Sequence, residues 1–151
     1  MRSTGFTKPQ LATLRTRDND RCVWTGNHTD RLIPQHRVNR GMGGNRHLNV
    51  LTNGLLLDSI INGLIESDPT LGVVAKAFGI KVERWADPTD VPVFYAHEHA
   101  WYALEGDTRR EISGVQAVEQ MQAVYGPEWF EWWAVATETA HSRALANLGG
   151  W

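Results

Sequence analysis

The apolar positions of this chain come in short runs whose period changes from segment to segment, and that change predicts a mixture of helices and strands. Thr7 to Thr16 carries Leu11 and Leu14 and reads as a short helix opening near Pro9, a residue well suited to a first helical turn. Asp18-Asn19-Asp20 reads as a turn, and Arg21 to Gly26 as a short strand ending in a knuckle-like turn. Asp30 to His36, with Leu32, Ile33 and Pro34, reads as a second short strand, at a sheet edge because proline cannot donate to a ladder. Residues 37 to 50 form a long loop containing Gly41, Gly43 and Gly44. Thr52 or Asn53 can cap a helix running to about Ser67, stopped before Pro69. In it Leu56, Ile60 and Leu64 share one face, with Leu57, Ile61 and Ile65 beside it, and Ser59, Asn62 and Glu66 form a polar edge. That edge turns Asn62 back toward the strand that carries His36.

Downstream, Thr70 to Phe78 predicts a helix ended by Gly79. Ile80 to Trp85 reads as a strand, Asp87-Pro88-Thr89-Asp90 as a turn, and Val91 to His97 with Ala100 to Leu104 as a hairpin. From Ser113 the pattern is helical: Ser113 caps a helix to about Tyr125, Gly126-Pro127 breaks it, and a second helix runs from Pro127 to about Asn147. Trp129, Phe130, Trp132 and Trp133 cover more than one face of that last helix. They are expected to pack on the hairpin, with any exposed part offering a partner or self-association surface. The fold class is α+β, divided at residue 106 between a core with its hairpin (1–106) and a helical extension (107–151) packed on it.

Length and composition narrow the setting. At 151 residues the chain suits one domain with a modest core. It has no apolar run of membrane-span length and no signal-like start, and its single cysteine, Cys22, excludes an internal disulfide. A cytoplasmic protein without a membrane partner is the expectation. The net charge of -2 hides an asymmetry: residues 1–50 carry nine Lys and Arg against three Asp, and residues 51–151 carry six against fourteen Asp and Glu. Between Asp30 and Asp58 there is no acidic residue, while Arg31, Arg37, Arg40 and Arg46 all fall there. So one-sided a block suits a phosphate-binding face, although four arginines alone would fit a solvated loop better.

What gives those arginines meaning is the phrase Gln35-His36-Arg37-Val38-Asn39-Arg40-Gly41-Met42-Gly43-Gly44 and the two asparagines that follow, Asn53 and Asn62. Around them the chain reads as strand with histidine, loop, short strand, and helix with a polar ligand, a ββα arrangement. With Asn53-Gly54-Leu55-Leu56-Leu57 and Asn62-Gly63-Leu64-Ile65-Glu66-Ser67 in register, the chain resembles the HNH endonucleases of the ββα-metal type, in particular the small HNH proteins of tailed phages. Ala75, Gly79 and Asp87 to Val93 also fit the downstream pattern, so the resemblance spans roughly residues 17 to 105.

The resemblance implies a chemistry that these residue types can perform. His36, as a neutral imidazole, takes a proton from water near pH 7, a contribution of about 10²–10⁴-fold. Asn62 and Gln35 would hold a divalent ion, Mg²⁺ or Mn²⁺, and Asn53 would fix the loop and the histidine. Arg37, Arg40, Arg46 and Arg31 would contact the backbone of double-stranded DNA, positioning it without reading sequence. Loop glycines would let backbone amides approach phosphate. Phage terminase subunits are an implied packaging partner.

Two departures from the family stand out. Gln35 occupies a position where relatives carry Asp, Glu or His, so Gln35 and Asn62 make two neutral ligands. The two knuckle pairs of zinc-binding relatives correspond to Cys22 with Thr25 and Asp58 with Ile61, so no structural zinc is expected, and Trp24, Ile60 and Ile61 are expected to pack in its place. His97 and His99, alternating as strand neighbours, form a minor candidate metal pair, and His28 and His47 lie near the motif without a required role. The favoured reading is a metal-dependent HNH endonuclease or nicking enzyme. The alternative is a catalytically silent HNH-like DNA-binding or packaging-complex component.

Overall fold

The computed structural model describes residues 5–39 and 48–138. Among them are five α-helices and two small antiparallel sheets, an α+β protein. Helix α1 (Lys8–Arg17) starts where the chain says it should: the Thr7 hydroxyl accepts from the Gln10 N–H, and the Gln10 side chain accepts from the Thr7 N–H in return, a capping box with proline in the first turn. Asn19 and Asp20 then turn the chain through positive φ.

Strand β1 (Leu32–His36) pairs antiparallel with β2 (Gly54–Asp58), in a register that sets Leu32 opposite Asp58 and His36 opposite Gly54. Helix α2 (Ser59–Ser67) follows β2 directly and packs on both strands. The helix expected from Thr52 or Asn53 therefore begins five or six residues later, capped by Asp58. Residues 51–53 form one 3₁₀ turn, and Gly54–Asp58 is the second strand of the ββα order. The reason is burial: every residue of β2 is enclosed, and Leu55, Leu56 and Leu57 sit on alternate faces that are both covered, as a buried strand allows. Asp58 supplies the real N-cap, accepting from the Ile60 N–H at 2.9 Å.

The new start also rotates the helix face. Ile61 and Ile65 point into the core, whereas Ile60 is 52% exposed and packs in place of nothing. Arg21 to Gly26 is a turn rather than a strand: the Gly26 N–H bonds to Cys22 O at 2.8 Å, and the Val23 N–H reaches Leu56 O at 2.9 Å, hanging the turn on β2. Buried Cys22, Val23 and Trp24 fill the space beneath it, Trp24 edge-on to Phe78.

Helix α3 (Pro69–Ala77) is capped by Asp68, and the chain leaves it through Gly79 at φ +72°. A Cβ there would lie 1.9 Å from Pro92 O, so the turn admits only glycine. Ile80 to Trp85, expected as a strand, is irregular. The second sheet has the order β3 (Val93–Tyr95), β4 (Ala100–Leu104), β5 (Arg109–Ile112). Its first two strands are the expected hairpin. The third was not foreseen, and it carries the sheet across position 106. Helix α4 (Gly114–Tyr125) starts at the Ser113 capping box, and α5 (Glu128–Glu138) packs on α3, the expected residues 139–147 lying outside those described. Buried Trp129 and half-buried Trp133 pack edge-on or tilted against Trp101, and Trp133 also meets Phe78 and Phe94, so this part of the tryptophan cluster is core facing the hairpin, while buried Trp132 lies against Tyr125.

Candidate functional site

His36 ends β1, and contacts from Phe6 and Asn49 fix its ring. The Phe6 ring stacks on it, centroids 4.4 Å apart and 15° from parallel, and its Nε2 lies 2.7 Å from Asn49 Oδ1. Phe6 also lies against Gly54, the cross-strand neighbour of His36: a Cβ on Gly54 would meet Phe6 Cζ at 2.8 Å. The missing side chain is what lets the ring pair sit on this face of the ribbon. Gln35 precedes His36 in β1 and faces Leu55 in register, so by strand alternation its side chain leaves the opposite face.

Asn53 is fully buried and does structural work at the loop. Its Oδ1 accepts from the Val38 N–H at 2.8 Å, and its amide donates to Leu48 O at 2.9 Å and Val38 O at 3.3 Å. It thus joins the two described ends of the glycine-rich loop, whose residues 40–47 lie outside the described part. Arg40, Arg46 and His47 belong to that segment.

Asn62 lies one turn into α2, at the edge of its buried face. Its Oδ1 is enclosed, and among the described residues it is the buried side-chain polar atom without a hydrogen-bond partner. An orphaned amide oxygen is costly, about 1–3 kcal/mol, so its retention points to a ligand. The donor set also suits a hard cation. Two neutral amide oxygens favour an ion that keeps much of its water and takes phosphate oxygens as further ligands. Among the described residues no group of three or more His, Cys, Asp or Glu could hold a metal ion. His97 and His99 do not form a pair on a strand: Ala96–Glu98 is a 3₁₀ turn, His99 has φ +52°, and His97 bonds Val23 O through Nδ1 at 3.2 Å. Burial pushes the His97 imidazole down from the usual value.

The arginines divide. Arg37 is not a DNA-facing side chain: it is 1% exposed, and its guanidinium donates to Gly79 O, Thr52 O, Pro88 O and Val91 O at 2.6 to 2.9 Å. Burial, and then the nearby Arg17 guanidinium, lower it to about 9, which leaves it charged at neutral pH. One planar fork thereby ties together four segments that meet only in the fold. Arg31 is half exposed and pairs with Asp58 at 2.9 Å. The Asp58 carboxylate also accepts from Thr29, so Arg31 helps hold the cap of the helix that carries Asn62.

Sequence reasoning missed Asn49, which has no distinguishing neighbour in the chain, and the buried ion pair beneath the site. Arg17 and Asp18 side chains are wholly enclosed; Tyr95 donates to Asp18 at 2.6 Å, and Asp18 accepts the Leu56 N–H at 3.1 Å. Arg17 reaches Gly54 O at 2.6 Å and Leu51 O at 2.8 Å, anchoring the start of β2. Burial and the Asp18 charge push the Tyr95 phenol well up, so it remains the donor.

No family model, curated protein or solved structure matches this chain.

Among the described residues no helix is long and apolar enough to cross a membrane.

Proposed function

We propose that this chain is a metal-dependent DNA endonuclease or nicking enzyme of the HNH type. The observation that carries the reading is the orphaned Asn62 Oδ1 on a helix packed against the strand that ends in His36. The order β1, β2, α2 and the Asn53 loop tie support it. A divalent ion, when bound, neutralises charge on the phosphate and on the departing oxygen. By resemblance Asn62 and Gln35 would hold it, Gln35 from the face of β1 opposite His36.

The protein groups do the rest. His36 takes a proton from water; the resulting hydroxide oxygen bonds to phosphorus as the phosphorus–oxygen ester bond breaks, and the departing oxygen collects a proton from solvent. Asn53 keeps the loop closed against the ribbon. Arg31, and in the loop Arg40 and Arg46, would position the DNA backbone. By resemblance of the same segments, the setting is a phage or prophage and the partner a terminase subunit.

A second reading, a silent DNA-binding or packaging component, is favoured by the uncharged ligand pair and by the withdrawal of Arg37 into the core. Plasmid nicking in Mg²⁺ and Mn²⁺ separates the two. Chelator-sensitive turnover by the wild type and its loss in a folded His36→Ala protein are expected. Equal nicking by that variant would sink the proposal, and salt-sensitive binding without cleavage would favour the second reading.

A further inference from the structure

We propose that Asn49 is a positioning residue for His36, fixing the imidazole in the tautomer that carries its proton on Nε2. The inference rests on the nuclease reading for its catalytic meaning, but the contact itself is independent of it. A carboxamide oxygen only accepts, so at 2.7 Å from Asn49 Oδ1 the ring nitrogen must donate. In a neutral imidazole the proton on Nε2 puts the lone pair on Nδ1, which makes Nδ1 the nitrogen that takes the proton from water.

Asn49 is held for this task from a distance in the chain. Its backbone carbonyl accepts from Gln10 Nε2 at 2.9 Å, and Gln10 is the same residue that closes the capping box of α1 through its Oε1. Phe6, just before that cap, stacks on the His36 ring. The first turn of α1 therefore braces the histidine and the asparagine together, one by ring contact and one by a hydrogen bond.

The test uses the full chain labelled with ¹⁵N-histidine, without metal, with the His36 signals identified by their loss in His36→Ala. The Nε2-protonated tautomer is expected. In Asn49→Asp a carboxylate oxygen still accepts, so the same tautomer is expected, whereas Asn49→Ala removes the acceptor and should lower the Nε2-protonated share. A wild type with the proton on Nδ1, or an unchanged tautomer ratio in Asn49→Ala, would overturn the proposal.

In plasmid nicking, Asn49→Ala should lower kcat at least about tenfold with KM for DNA unchanged, a loss in the range set by general-base catalysis. Asn49→Asp, which keeps an acceptor for Nε2–H, should recover part of the rate. Full-rate nicking by Asn49→Ala overturns the positioning role. Absence of nicking by the wild type overturns the nuclease reading instead, and the tautomer arm still decides the contact.

Discussion

Asn53 and Val38 are bonded to each other through both polar ends of the Asn53 side chain, Oδ1 accepting the Val38 N–H at 2.8 Å and the amide reaching Val38 O at 3.3 Å. With the third bond to Leu48 O, one buried carboxamide ties residue 38 to residue 48. Asn53→Ala removes the clasp and leaves buried backbone groups unpaired, at about 1–3 kcal/mol each. We expect a stability loss of about 2–4 kcal/mol in denaturant titration and, above all, faster amide exchange around Val38 and Leu48. A variant with wild-type stability and protection would remove Asn53 from this role.

Arg37 separates a structural arginine from a DNA contact. Arg37→Lys keeps a charge but replaces the planar fork with a point donor that cannot serve four carbonyls. The melting temperature should fall by an amount equivalent to about 3 kcal/mol or more, the scale of disrupting a buried charged network. The salt dependence of DNA binding should keep its slope, because no phosphate contact is lost. A slope reduced by about one would restore Arg37 as a phosphate ligand.

Asn62 sets stability against function. Its Oδ1 has no partner among the described residues, so Asn62→Leu should leave the metal-free protein as stable or more stable, since an unsatisfied polar atom disappears. Nicking should vanish in the same protein. Asn62→Asp should lower the Mg²⁺ concentration needed for half-maximal nicking, because a carboxylate adds the charge that the native pair lacks. A destabilised Asn62→Leu protein that still nicks would contradict both expectations.

Asp58 gives a pH signature to the helix that carries Asn62. Burial alone would raise its carboxyl, but bonds from Arg31, the Ile60 N–H and Thr29 outweigh it and hold the value below the ordinary 3.8. A depressed folded value means that the stabilisation is fully present above the unfolded value and fades as the pH falls through the folded one. Asp58→Asn should therefore lower the melting temperature at pH 7, and the gap to wild type should narrow below about pH 4. A gap that stays constant across that range would show that the charge is not what caps α2.

Much of the local architecture is readable one segment at a time. Ser113 with Gln116 starts α4, Asp87 caps its turn, and the strand from Leu32 ends on His36 as its pattern suggests. The two asparagines are legible only as a spacing, and the structure gives them different work: Asn53 is saturated with bonds, while Asn62 keeps an unpaired oxygen. The Asn49–His36 contact and the Tyr95–Asp18 bond leave no local trace, because their partners lie 13 residues apart in one case and 77 in the other; the Arg17–Asp18 pair is adjacent in the chain, but only the fold encloses it.

The chain by itself determined the elements whose signals are local: caps, turn residues and the periods of α1, α3, α4 and β1. The tertiary structure decided what depended on distant partners. Leu55-Leu56-Leu57 suits a helix face or a buried strand equally, and pairing with β1 chose the strand. Arg37 sits in a basic run that suits a phosphate, yet carbonyls from residues 52, 79, 88 and 91 converge on it and draw it inward. The physical reason is the same in both cases. A side chain's own chemistry limits what it can bond, but burial and the partners that complete its bonds are supplied by residues far along the chain.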